Sequence, residues 1–164
     1  IRVILDVKED VIRTILVDNN IHLEDLHQSI TKAFGFDGRE MASFYRSDDE
    51  WNQGEEIPLV DMSESSETIA MCDCPIDNAL AGDSAKLIYV YDFLKMWTFY
   101  VEVIEITNES SKDLPKTILS VGEIPEEAPE KAFTAEKTED DNYDDFENGD
   151  DGLDYFDDFD FNEY

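Results

Sequence analysis

Residues 87–106 place the tightest limit on what this chain can fold into. Leu87, Tyr89, Tyr91 and Phe93 share one face of a period-two run, and Trp97, Phe99, Val101 and Val103 share one face of the next. Two such runs joined by a short turn predict an antiparallel hairpin whose side chains meet across the strands. A lone two-stranded ribbon is marginal in water, so other elements have to cover it. Leu23, Leu26, Ile30, Ala33 and Phe34 fall on one stripe at helical spacing, with Gly35 placed to end the helix. A helix this short gains its stability by burying that stripe, and the hairpin is the natural surface for it.

Shorter strands complete the reading. Ile1–Val7 and Ile12–Val17 are β-branched runs joined by a short polar segment. Asp18-Asn-Asn20 is a turn cluster ahead of the helix, and Glu24 and Asp25 suit the positive end of its dipole. Met41–Arg46 reads as a strand, Ser47–Glu56 as a loop, and Ile57–Val60 and Ile69–Met71 as weaker strands. Pro75–Leu80 suits one helical turn. These elements predict an α+β fold, a mostly antiparallel sheet of about five strands packed on one main helix, for which a β-grasp-like ββαβ order is one form.

Charge divides the 164 residues unevenly. The net charge is −30, of which residues 1–122 hold −14 and residues 123–164 hold −16. The expected organisation is therefore a domain over 1–122 and an acidic, aromatic-containing tail over 123–164, the tail disordered or partner-bound. Such a balance argues against direct nucleic-acid binding as a function class, because phosphate backbones are gripped by Lys and Arg. Docking on an anionic membrane surface fails for the same reason. The longest apolar run, Leu87–Tyr91, falls far short of the roughly 20 residues that a membrane-spanning helix needs. With no signal-peptide pattern and two cysteines, Cys72 and Cys74, the expected compartment is the cytoplasm.

Three segments together carry a resemblance. His22-Leu-Glu-Asp-Leu-His-Gln-Ser-Ile-Thr-Lys-Ala-Phe-Gly-Phe36 resembles the Leu-x-Asp-Leu-His … Ala-Phe-Gly-Trp block of the plasmid pRiA4b ORF-3-like family, with Phe36 in place of Trp. Val11–Val17 is similar to that family's Trp-Arg-Arg strand, keeping Arg13 of the arginine pair. Tyr89-Val-Tyr-Asp-Phe93 and Trp97 are similar to its Tyr-Asp-Phe-Gly-Asp-x-Trp hairpin. Leu114-Pro115 and Gly122-Glu-Ile-Pro125 are similar to its closing segment, so the resemblance covers about residues 1–125. Leu94-Lys95 replaces the family's Gly-Asp at the turn, where a leucine resists the positive φ a glycine allows. Either the turn differs or any role of that Asp is absent. The resemblance implies a fold and an association with plasmids and mobile elements. It implies no reaction.

Three polar residues stand out as a candidate cluster: Arg13, His27 and Asp92. His27 lies on the apolar stripe of the helix, where an imidazole is either a base or ligand, or a core group satisfied by a hydrogen bond. Asp92 points away from the aromatic face and is placed to pair with Arg13. Cys72-x-Cys74 lacks a second pair, and His22 and His27 are not spaced for one helical face, so neither metal nor cofactor is expected.

The tail is the other candidate. Residues 139–164 interleave 13 acids with seven aromatic rings, whereas ordinary acidic disordered segments have few rings. A calcium loop starting at Asp144 would put Phe146 and Tyr155 where oxygen ligands are required. Tyr155, Phe156, Phe159 and Phe161 are therefore read as partner-binding residues, inserting into apolar grooves while the acids meet bases. The leading expectation is a non-enzymatic interaction module binding a basic protein partner or its own body. An enzyme or metal-dependent activity centred on Arg13, His27 and Asp92 is the alternative, and a nucleic-acid-associated protein of mobile elements the third.

Overall fold

Every strand pairing in the computed structural model is antiparallel, and one sheet contains all seven strands of the described residues, which are 1–81, 85–108 and 111–130. The elements run β1 (Arg2–Leu5), β2 (Ile12–Leu16), α1 (Leu23–Phe34), β3 (Ala42–Ser47), β4 (Gln53–Pro58), a 3₁₀ turn (Met71–Asp73), α2 (Ile76–Ala79), β5 (Lys86–Tyr91), β6 (Trp97–Glu102) and β7 (Lys116–Val121). Across the sheet the order is β4-β3-β5-β6-β1-β2-β7. The α+β class holds, but the sheet has more strands than the five expected. A β-grasp sheet has a parallel central pair; here β1 is flanked by β2 and β6, both antiparallel, so that form is not adopted.

The two aromatic faces pair antiparallel as their pattern predicts, and the structure sets the register: Leu87 faces Val101, Tyr89 faces Phe99 and Tyr91 faces Trp97. Phe93 is the exception, leaving the strand and becoming exposed. The turn answers the Leu94-Lys95 question, because the positive-φ positions fall on Asp92 (60°) and Met96 (57°), not on Leu94. Asp tolerates that region because its short side chain bonds locally. The Asp92 carboxylate accepts the Leu94 and Lys95 amides at 3.1 and 3.3 Å.

The helix spans 23–34 as its stripe predicts. His22 is the N-cap, later than the Asp18–Asn20 cluster, and its amide donates to the Asp25 carboxylate at 3.0 Å. Gly35, at φ 77°, ends it in the left-handed region. The stripe packs on the sheet: Phe34 meets Phe99 at 4.8 Å between ring centroids, and Tyr89 lies 4.8 Å from Phe44. Phe36 fits between Tyr91 and Trp97, at 4.9 and 5.4 Å. Each fully buried Leu, Ile or Phe contributes about 1.5–3 kcal/mol by leaving water.

The strand expected over Ile57–Val60 is displaced toward the N-terminus, and β7 escaped the pattern altogether. The segment expected as a loop over 47–56 enters β4 at Gln53, where four of six residues are exposed and Ile57 alone is buried. Every residue of β7 is exposed, so it has no alternation to read; backbone pairing with β2 defines it. Ile69–Met71 is no strand, since Met71 opens the 3₁₀ turn. Beyond Gly122, Ile124 and Ala128 are partly buried against the core.

Candidate functional site

His27 is carried by the middle of α1 and points into the sheet. It is 3% exposed, and its Nδ1 lies 2.7 Å from the Tyr89 hydroxyl. Burial lowers the His27 pKa and raises that of Tyr89, so both are uncharged at neutral pH. The result is a neutral, hydrogen-bonded pair enclosed by rings, with Tyr91 at 6.4 Å.

Arg13 lies on the same face of the sheet but serves the backbone. Its Nε donates to the Ala33 carbonyl (3.2 Å), its Nη1 to Ile12 (2.9 Å) and Val121 (2.7 Å), and its Nη2 to Gly122 (3.2 Å). The guanidinium also sits 5.1 Å from the centre of the Phe34 ring. Ala33 is in the last turn of α1, whose carbonyls lack helical partners and favour a cation. One buried guanidinium thus joins α1, β2 and the end of β7.

Asp92 is bonded within its own turn, and its amide donates to Met41 at 2.8 Å. The structure therefore does not bring Arg13, His27 and Asp92 together. Each has separate hydrogen-bond partners, and Asp92 is not the partner of Arg13. Trp51 folds back onto the sheet, 4.9 Å from Tyr100 and with the Lys86 ammonium 5.1 Å from its ring. Tyr155, Phe156, Phe159 and Phe161 lie outside the described residues.

A cleft of about 540 Å³ opens where the end of β2 meets α2 and the chain after β6. Leu16, Val103 and Leu80 give it apolar walls, and Asp18, Asp77 and Glu105 put carboxylates among its lining. No single stretch of sequence signals it, because its lining comes from segments far apart in the chain. Among the described residues no three His, Cys, Asp or Glu side chains are grouped to hold a metal ion. Cys74 is buried and Cys72 exposed. No described helix is long and apolar enough to cross a membrane.

The model of the family described as plasmid pRiA4b ORF-3-like protein matches residues 1–162. The chain belongs to this family. The match runs past residue 125, where the motifs end, and takes in the acidic segment that was expected to lie outside it. A solved structure, that of the protein of unknown function MM3350 from Methanosarcina mazei Go1, is similar in fold, with a TM-score of 0.61 at 15% identity. The similarity covers 73% of this chain and 66% of that one, so the chain spans just under two thirds of that protein's length. No curated protein matches the chain.

Proposed function

We propose that the protein is a non-enzymatic interaction module whose acidic, aromatic C-terminal segment binds a basic partner protein. The observation behind this reading is the interleaving of 13 acids and seven rings over residues 139–164. Each ring offers apolar area to a groove, and the flanking carboxylates meet bases around it. A separate basic partner is favoured over the protein's own body because residues 1–122 already hold −14. A tail of like sign is repelled by that body. The placement of Arg13, His27 and Asp92 supports the same reading, since the Arg13 guanidinium, the His27 Nδ1 and the Asp92 Oδ1 each bond to a different part of the fold and do not converge.

The test retains the full chain. Tyr155, Phe156, Phe159 and Phe161 are all replaced by Ser, which leaves every charge in place, and recovery of basic proteins on immobilised protein is compared. The expected result is salt-sensitive recovery by the native chain and a drop of about tenfold for the variant. Equal recovery by both overturns the proposal.

A further inference from the structure

We infer that β7 is a docking edge, along which an extended segment of the basic partner adds as a further strand. This rests on the reading above that the partner is basic, and adds to the C-terminal segment a second place of contact and its manner.

The two ends of the sheet are treated very differently. Both edge pairings have an irregular register, β3 with β4 and β2 with β7, but β4 in addition carries Glu55 and Glu56 and ends on Pro58. Charges and proline blunt a strand edge against further pairing. At the other end, β7 pairs with β2 and with no other described strand, and all six of its residues are exposed. Ile118, Leu119 and Val121 are 56%, 50% and 40% exposed, and Lys116 is the single charge in the strand. Among the described residues, this edge offers a row of backbone groups that no second strand takes up, flanked by apolar side chains, the pattern used in strand addition.

The edge is also preformed. Arg13 and Gly122 hold the end of β7 against the body: the Val121 and Gly122 carbonyls accept from the guanidinium, and Gly122 packs on the Asp10 carbonyl. A strand already in place costs less ordering when another joins it. The sheet registers place Val121, Ile12, Ile4 and Tyr100 in one row across four neighbouring strands, so the apolar surface continues inward from the edge.

Charge selects the occupant. Residues 114–122 contain no acid, but Glu123, Glu126, Glu127 and Glu130 follow at once and are exposed. A segment alternating apolar and basic residues satisfies both regions: its backbone and apolar side chains meet β7, and its cations meet the glutamates. A second copy of this chain is disfavoured, because it brings another −30 to the same place.

The experiment uses the full chain and a short synthetic peptide of alternating lysine and valine, with a counterpart N-methylated at alternate amides. The expected result is that the peptide slows amide hydrogen exchange within residues 116–121, and that N-methylation weakens binding about tenfold or more. Leu119→Glu weakens it similarly; the N-methylated peptide gives the same information with the protein unaltered. Equal affinity for both peptides, or binding with no slowing in β7, overturns the docking edge and leaves the proposed function standing. Failure of the peptide to bind a chain that still recovers basic proteins also overturns it. So does slowing in β7 that grows with protein concentration in the absence of peptide, which marks self-pairing. Loss of all basic-protein recovery, by contrast, removes the underlying reading.

Discussion

The Arg13 guanidinium holds the last residue of β7, its Nη1 donating to the Val121 carbonyl at 2.7 Å from one strand to the next. Together with the Ala33, Ile12 and Gly122 carbonyls, this makes Arg13 the joint between α1 and the outer end of the sheet. Arg13→Leu removes every one of these bonds, and Arg13→Lys replaces a planar fork by a single point donor. Both are expected to destabilise the fold, the leucine variant by about 2–4 kcal/mol in urea unfolding. Amide exchange should accelerate first in β7. A lysine variant as stable as the native chain would show that charge, not the fork, is what matters.

The His27–Tyr89 pair predicts an acid-sensitive component of stability. The folded pKa of His27 is lowered by burial, so between it and the usual value near 6.5 the unfolded chain binds a proton that the folded one does not. That contribution is complete above about pH 6.5 and is lost as the pH falls from there through the folded pKa. His27→Gln, which keeps a hydrogen-bonding group and does not titrate, should flatten the fall in unfolding free energy between about pH 7 and 5. An unchanged slope would assign the acid sensitivity to other groups.

Tyr89→Phe tests the same pair at constant pH. It leaves a buried imidazole nitrogen without its 2.7 Å partner, at an expected cost of about 1–3 kcal/mol in denaturant unfolding. A neutral result would mean that a water molecule replaces the hydroxyl.

Two glycines with nearly equal φ separate backbone strain from crowding. A Cβ at Gly35 (φ 77°) meets nothing within 4 Å, whereas one at Gly122 (φ 73°) falls 2.0 Å from the Asp10 carbonyl oxygen. Gly35→Ala is expected to cost about 1–2 kcal/mol, the left-handed penalty alone. Gly122→Ala should cost at least about twice that, and should also speed exchange in β7. Equal thermal shifts for the two would show that the loop at Asp10 yields freely.

Asp92 is predicted to act through its turn. Asp92→Ala loses both side-chain bonds while keeping a positive φ, at about 2 kcal/mol, and Asp92→Asn stays within about 1 kcal/mol of the native chain. Thermal unfolding of the two variants decides this. An asparagine variant as unstable as alanine would assign the stabilisation to the carboxylate charge.

The central hairpin and α1 were readable because periodicity reports burial. Leu23 to Phe34 repeat at helical spacing, and the run Leu87–Tyr91 is apolar on both faces because both are buried, so the buried positions declare themselves. β4 was readable only around its buried Ile57, and β7 not at all, for the same reason. An edge strand with one buried residue, or none, is set by the backbone groups of its neighbour, which leave no trace in side-chain pattern. The candidate polar residues were recognisable as unusual, but their partners were not. Tyr89 read as one more core ring, and Ala33, Val121 and Gly122 bind Arg13 through carbonyls that every residue possesses.

By itself, the sequence determined the α+β class, the helix and the stripe it buries, the antiparallel hairpin of the two aromatic runs, and the division of charge along the chain. Local periodicity and charge are properties of the chain before it folds, and so they survive in the one-dimensional record. Only the tertiary structure decided where β4 begins and that β7 exists, that Arg13, His27 and Asp92 serve three separate parts of the fold, and that β7 pairs with β2 alone among the described strands, beside the first glutamates of the acidic segment. These are relations between residues far apart in sequence, set by which backbone groups meet and by the space left around them. Residue type alone does not encode either.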